Sequence, residues 1–504
     1  GKGYMLPTNN SFERVNGSAN DIGIYSEGCP LTTVMEGEFW NNTLAGAYFV
    51  SSDFTVFGNV TSYNNTYGFR IFESDYSNFT DSVVHSNSKY GFHITNSSMS
   101  RVFKAELYNT SVSAAPSDDE GSGLYAKWCP NVTLENITSY NNSRHGMYVF
   151  SCNETHGYNN TLYNNTRNGM YVREDSASSI FMYNDMFNNS RNGLYVRGSR
   201  NSISALQTGF LWDNIYNNTL SGINFTDVSW VFFYGSDTRE NGLDGAYGQN
   251  SENIFLAGYL SGPAFRSQYN ARDGIRLDNV DSSEIARLLP GWAGVGVRHN
   301  GGDGVAVYDS DNVGIYSPVG AADISVRNNS GNGILLSNAP SRENGESGIN
   351  ASLADYLVVH SSEIYGNGLD GVRANGCSDS NLTLSEIYNN SGNGLSIITS
   401  PDFNATSNHF FNNSRDVMVW EVAGVSFDVS FSDLVIDNPY GNYENYTNLS
   451  IEDTVSSASQ YSINWTTNST ALPFGTASFE NKYVNISTLS GTVSLDQITW
   501  HWTD

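Results

Sequence analysis

Three aspartates precede a glycine at one fixed place in a repeating pattern: Asp244, Asp273 and Asp303. Carboxylates on neighbouring levels repel unless a cation or an arginine stands between them. Arg272 and Arg276 are near in sequence, and an all-oxygen set would suit calcium. The competing reading is that Asp favours the turn before a glycine. A second acidic group, Asp278, Asp281, Asp309 and Asp311 with Arg276 or Arg298, could be assembled into a cation cluster with a basic residue. Hydrolysis by paired carboxylates would depend on their separation. Asp118-Asp119 is the one Asp-Asp pair, in the acidic stretch SAAPSDDEGSG. The four cysteines, Cys29, Cys129, Cys152 and Cys377, lack metal-site spacing.

These residues sit in a repeat. Glycine anchors recur at Gly46, Gly68, Gly91, Gly123, Gly146, Gly169, Gly193 and onward to Gly394, mostly 22 to 24 residues apart. Such a period means a solenoid. The residue after each anchor is apolar, and so mostly is the residue three after it; the one between is mostly polar or tyrosine. Alternation with period two marks a strand with one buried face. No 3.6-residue stripe accompanies it. The expectation is about 17 coils of short strands stacked in parallel.

Four residues before the anchor stands an asparagine: Asn42, Asn64, Asn87, Asn142, Asn165, Asn189, Asn218, Asn241, Asn270, Asn300, Asn329, Asn344, Asn367, Asn390 and Asn413. Stacked Asn side chains at a turn can hydrogen-bond from coil to coil. This resembles the asparagine ladder of right-handed parallel β-helices, the pectate-lyase-like superfamily. The resemblance implies an all-β right-handed parallel β-helix over 23–425. Residues 1–22 are then expected as an N-terminal cap and 426–504 as a small β-rich cap or domain. That fold hosts many unrelated functions.

The chain also carries 28 Asn-x-Ser/Thr sequons among 63 asparagines. In repeats such as NNSRNG the second Asn is the ladder residue and the first is the sequon acceptor, facing the other way. Asn41, Asn141, Asn164, Asn188, Asn217, Asn328, Asn389 and Asn412 would present glycans along one edge, with Asn64 as an exception whose sequon falls on the ladder position itself. Further acceptors are Asn131, Asn153, Asn381, Asn445 and Asn464. Sequons at this density imply a secreted, N-glycosylated cell-surface protein.

Other positions follow the same grammar. The cysteines lie six residues after their anchors, where other coils place Ser or Ala. Cys129 and Cys152 fall on adjacent coils, so a disulfide is conceivable, but Cβ atoms about 4.8 Å apart are slightly too far; free buried thiols are favoured. Tyr25, Tyr48, Tyr125, Tyr148, Tyr171, Tyr195 and Tyr247 form an outward stripe. It is either a stacking ladder or a surface for sugars or subunits. Residues 227–327 contain no sequon and hold the apolar loops IFLAGYLSGPAF and IARLLPGWAGVGV. Leu256, Tyr259, Phe265, Leu288, Leu289 and Trp292 would form a glycan-free protein interface, unless the loops cover the solenoid's own flank.

A net charge of −27 argues against nucleic acid and anionic membranes as partners. No run of 18 apolar residues spans a membrane. The chain starts at Gly1 with no visible leader, and a processed form is expected. The first functional expectation is a non-enzymatic structural subunit of an extracellular filament, sheath or coat, with N-linked glycans and further copies of itself as partners and calcium as the one cofactor considered. A carbohydrate-binding adhesin using the tyrosine stripe is the alternative, and a polysaccharide lyase or glycoside hydrolase the second. Polygalacturonase-like members of the superfamily carry Gly-His-Gly and Arg-Ile-Lys motifs, and this sequence has neither. The glycosylated Asn-Gly pattern is similar in style to archaeal surface proteins.

Overall fold

A computed structural model describes residues 9–112, 120–174, 176–198, 205–258, 263–281, 283–285, 295–302, 304–308, 314–315, 325–327, 340–342, 347–352, 358–360, 362–422, 426–437, 446–455, 459–465, 484–492 and 495–501. The protein is an all-β right-handed solenoid of about 15 turns with a period of about 23, carrying extra C-terminal strands. Two compact units divide it, Gly1–Tyr247 and Gly248–Asp504.

In the first unit each turn holds one long strand and two short ones. Ala45–Val50, Val56–Gly58 and Thr61–Tyr63 make one turn; Tyr67–Phe72, Asn78–Thr80 and Val83–His85 make the next. They pair in parallel and in register, with Phe49 beside Ile71, Phe57 beside Phe79 and Ser62 beside Val84. Alternate residues fill the interior. Leu124, Met147, Met170, Leu194 and Ile223 form one fully buried row. Where Phe181 enlarges a layer, Gly157 shrinks its neighbour, since a Cβ there would meet the Phe181 ring at 2.4 Å. Such size alternation keeps the interior at crystal-like density.

Four corners per turn adopt positive φ, as at Ser51, Phe54, Asn59 and Asn64. That region is unfavourable for most L-residues, least so for Asn and Asp. Among the described residues, 18 asparagines take such corners.

The solenoid begins earlier than expected. Ser11–Glu13 pairs in parallel with Thr33–Met35, and Asn16–Ser18 with Glu38–Trp40. Residues 11–18 are therefore a turn rather than part of a separate cap. It also ends later: Phe427–Asp437 pairs in parallel with Phe403–Thr406 and His409–Phe411. Beyond it the chain reverses. Tyr446–Val455 and Gln497–His501 extend one sheet by antiparallel pairing, and Gln460–Trp465 and Val484–Ser490 extend the other.

Candidate functional site

The corner that follows the third strand of each turn gathers most of the residues singled out by sequence. It reads aromatic, asparagine, asparagine, then Ser or Thr. The second asparagine faces the interior. In the first unit the Asn142 N–H and Nδ2 both donate to Asn165 Oδ1, at 3.2 and 3.0 Å, and Asn165 does the same to Asn189 at 3.1 and 3.0 Å. Asn189, Asn218 and Asn241 continue the chain of bonds. The second Nδ2 hydrogen of Asn165 reaches the Ser139 carbonyl at 3.1 Å. In the second unit Asn270 bonds to Asn300, Asn367 to Asn390 and Asn390 to Asn413 in the same manner. The anchor glycine is required here: a Cβ on Gly146 would meet Asn165 Nδ2 and Gly169 O, each at 2.8 Å.

One assignment needs correction. Asn42 bonds to Asn65, and Asn65 to Asn87. Asn65, and not Asn64, is the ladder residue, because this turn reaches its glycine one residue sooner and counting back four positions overshoots. Asn64 is exposed at φ 54° and falls into line with the other first asparagines.

Those first asparagines, Asn41, Asn64, Asn141, Asn164, Asn188, Asn217, Asn389 and Asn412, are all exposed with φ between 53° and 55°. Their backbone N–H groups are tied to the next turn, as from Asn164 to Phe187 O at 3.3 Å. Asn131 also has positive φ, at 57°. Asn153 is exposed and Asn381 lies half-buried in a strand. The half-buried Asn464 has its carboxamide oxygen occupied by the Asp416 N–H at 3.1 Å. Asn328, Asn329, Asn344 and Asn445 lie outside the described residues.

The aromatic residue before each first asparagine was missed by reading forward from the glycine. Trp40, Tyr63, His85, Tyr108, Tyr140, Tyr163, Phe187 and Tyr216 stack on successive turns. Centroids from Tyr63 to Tyr216 stand 4.8–5.0 Å apart, with ring planes within 9° of parallel. Arg239 closes the stack over Tyr216 at 5.0 Å. For six of the eight the signal was an aromatic immediately before Asn-Asn; His85 precedes Ser86-Asn87 and Tyr108 precedes Asn109-Thr110. Tyr140 donates to Glu106 at 2.8 Å; burial, then that bond, pushes its hydroxyl pKa up. Stacking between Tyr63 and Tyr108 buries the His85 imidazole and lowers its pKa.

The profile of the family described as "Right handed beta helix region" matches residues 1–112, 103–206 and 292–437, well over half of the chain. The chain belongs to that family. No curated protein matches this β-helix in sequence. Among solved structures it is similar to the periplasmic alginate epimerase AlgG, at 14% identity over 59% of this chain and 78% of that one, TM-score 0.41. It is also similar to the Azotobacter vinelandii mannuronan C-5 epimerase AlgE4 A-module, at 14% identity, 77% and 86% coverage and TM-score 0.29. Pectate lyase Pel9A follows at 15% identity, 52% and 66% coverage and TM-score 0.26. These likenesses carry no argument about substrate or chemistry.

The tyrosine stripe of the β-helix is largely not outward-exposed. Tyr25 is open to solvent, but Tyr125, Tyr148 and Tyr171 are buried, and Tyr48, Tyr195 and Tyr247 are half-buried. Their rings cover one another: Tyr148 stacks on Tyr171 at 4.6 Å, and Tyr171 on Tyr195 at 4.8 Å. Burial, followed by the charge of Tyr195, pushes the Tyr171 pKa up to about 12. Faces consumed by neighbouring rings are not available to stack on a sugar.

The aspartates before the glycines join a buried polar row. Asp244 is fully buried and accepts from Ser221 Oγ at 3.4 Å. Asp273, also buried, has Arg276 at 3.6 Å and Arg272 at 3.9 Å. Arginine thus supplies the countercharge for Asp273, and among the described residues no group of three or more His, Cys, Asp or Glu side chains is placed to hold a metal ion. Asp278 pairs with Arg276 at 3.1 Å, and Arg298 donates to Gln268 at 2.9 Å. Asp118, Asp119, Asp303, Asp309 and Asp311 lie outside the described residues, as do Tyr259, Leu288, Leu289 and Trp292. Leu256 and Phe265 are at most 1% exposed, so they belong to the core and cannot line an interface.

The cysteines are free thiols in a third ladder. Cys129 N–H donates to Cys152 Sγ, and Cys152 N–H to Ser176 Oγ, each at 3.2 Å. Ser52, Ser74 and Ser97 play the same part on other turns. Sulfur is here a hydrogen-bond acceptor in a position serine fills equally well. Cys152→Ser is therefore expected to change unfolding stability by no more than about 1 kcal/mol. Thiol titration of the native wild type should find Cys129 and Cys152 unreactive, and denaturation without reductant should release both.

Proposed function

We propose that this β-helix is a structural, heavily N-glycosylated extracellular surface protein, a subunit of a filament, sheath or coat. One observation carries the reading. Turn after turn, a sequon asparagine stands exposed at the same corner while the asparagine beside it is buried in the ladder. Other sequon asparagines, Asn59, Asn96, Asn109, Asn136 and Asn159, also occupy positive-φ corners. An acceptor at a protruding corner is accessible without disturbing the strands. A carbohydrate coat over such a scaffold would favour solubility and shield the backbone, the use made of glycans by surface proteins of the archaeal style.

Glycopeptide mass spectrometry on protein from its natural source tests this. Glycan is expected on Asn41, Asn64, Asn141, Asn164, Asn188, Asn217, Asn389 and Asn412. Unmodified peptides at these positions would overturn the reading. Electron microscopy of the same material should show ordered assemblies rather than single particles.

A further inference from the structure

We propose that the glycans of the corner sequons are attached before the turns that carry them close, so that sugar transfer precedes folding and does not follow it. The inference rests on the glycoprotein reading above and adds its order of events.

A sequon names its acceptor by two side chains, the Asn and the Ser or Thr two residues on. An enzyme that reads it must therefore hold three consecutive residues. In the folded β-helix the middle residue points into the interior. After Asn59, Asn136, Asn141 and Asn164 it is Val60, Ile137, Asn142 and Asn165, each at most 1% exposed. The acceptor side chain stands in the open, so a finished glycan has room; the triplet as a whole is not offered.

Hydrogen bonds fix the triplet to the turns on either side. The Asn164 N–H donates to Phe187 O at 3.3 Å, and the Thr166 N–H to Asn142 O at 2.9 Å. Between them Asn165 makes two bonds to Asn189 and one to the Ser139 carbonyl, and accepts two from Asn142. Lifting the triplet into an active site breaks all of these together. The same ties hold Asn188 to Tyr216 O and Ser190 to Asn165 O, and likewise Asn217 to Arg239 O and Thr219 to Asn189 O. After Asn141 the hydroxyl to be read is itself out of reach, since Ser143 Oγ is buried. The acceptor's own tie comes from the following turn. Each site thus stays open from its synthesis until one more turn has docked.

Crowding points the same way independently. Asn141, Asn164, Asn188 and Asn217 follow strands that pair in register on four successive turns. Neighbouring strands lie about 4.8 Å apart, whereas a layer of protein is about 10 Å thick. No enzyme wall fits between one acceptor and a glycan already on the next. In the unfolded chain the same acceptors are separated by 23 to 29 residues. The chemistry also asks for a close grip. Asn Nδ2 bonds to C1 of a sugar carried on a phosphate or diphosphate ester. The C1–O bond breaks, its electron pair leaves with the phosphate oxygen, and the amide proton passes to a base of the enzyme. The amide lone pair is delocalised into the carbonyl, so the side chain must be held and oriented to react.

The full chain, made without glycans in a host that lacks the transferase, tests the order. It is given to a membrane preparation of the natural source, which carries the transferase and its sugar donor. One sample is refolded first and checked by circular dichroism; the other is diluted from urea directly into the preparation. A peptide spanning 138–146 reports the enzyme's activity, and mass spectrometry reads Asn141, Asn164, Asn188 and Asn217. Transfer to the refolded chain is expected to be at least about tenfold lower, because an opened corner is a minor local state. Asn165→Ala keeps the Asn164 sequon and removes its ladder bonds. Refolded Asn165→Ala is expected to regain transfer at Asn164 while Asn217 stays closed. A second readout needs no refolding: in the source, pulse-labelled chains should carry glycan before they resist protease. Equal transfer to refolded and unfolded chains, or protease-resistant bare chains that gain glycan later, would overturn this inference and leave the glycoprotein reading standing. Labelled chains that stay bare throughout, with no transfer to the peptide, would overturn both.

Discussion

Replacing Asp213 by Asn is expected to raise the thermal midpoint at neutral pH and to flatten its dependence on pH. Asp213 occupies a place in a buried ladder where the preceding turns carry Asn160 and Asn184. Its Oδ1 accepts from the N–H and Nδ2 of Asn184, at 2.8 and 2.9 Å, while Oδ2 is buried without a hydrogen-bond partner. Burial pushes its pKa from 3.8 up to about 8, and the two bonds from Asn184 offset this only in part. The folded protein thus keeps a proton that the unfolded chain has released. Stability is full below about pH 4 and falls by roughly 1.4 kcal/mol per pH unit until about pH 8. At pH 7 the accumulated loss is on the order of 4 kcal/mol. An asparagine would keep the Oδ1 acceptor, carry no charge, and offer Nδ2 to the Phe181 carbonyl, the counterpart of the bond Asn160 makes to Leu134 at 3.0 Å. Thermal scans of both proteins from pH 5 to 8 check this. Curves that stay parallel would show that Asp213 does not titrate in this range.

The second large effect separates two adjacent asparagines. Asn165→Ala removes the acceptor used by Asn142 N–H and Nδ2 and the donor used by the Ser139 carbonyl, all in the interior. Buried groups left without partners cost about 1–3 kcal/mol each, so a loss on the order of 3–5 kcal/mol is expected. Hydrogen exchange should show faster exchange at the Asn142 amide. Asn164→Gly is expected to alter stability by less than about 1 kcal/mol, since glycine adopts positive φ freely. It also abolishes the sequon. It is therefore the variant that removes a glycan without disturbing a turn, whereas Asn164→Gln would add strain at φ 54°. Equal destabilisation by both substitutions would contradict the division of labour between the two residues.

Much of this was legible from sequence because a solenoid repeats its instructions. The alternation after Gly146, Gly169 and Gly193 identifies interior rows directly, and the Asn-Asn pair distinguishes an inward from an outward residue. Asn65 escaped because its turn is one residue shorter. The tyrosines after the glycines were assigned to the correct face, but a one-dimensional pattern does not show that Tyr125, Tyr148 and Tyr171 on successive turns bury one another. The eight-ring stack from Trp40 to Tyr216 was missed through counting forward from the glycine alone. Leu256 and Phe265 looked like loop residues because long turns break the period, yet they complete core rows. The C-terminal strands lie beyond the repeat, and their reversal of direction has no counterpart in the glycine spacing.

The left-handed corners have a further consequence, for digestion. A protease holds its substrate as an extended strand of several residues. In the first unit, up to Leu194–Arg197, no strand exceeds six residues before the chain turns a corner. The corner N–H groups are themselves bonded to the next turn, as from Asn141 to Tyr163 O and from Asn188 to Tyr216 O. To present a cleavable stretch the chain must peel away from two neighbouring turns at once, so cleavage within the regular turns becomes a measure of how often whole turns open.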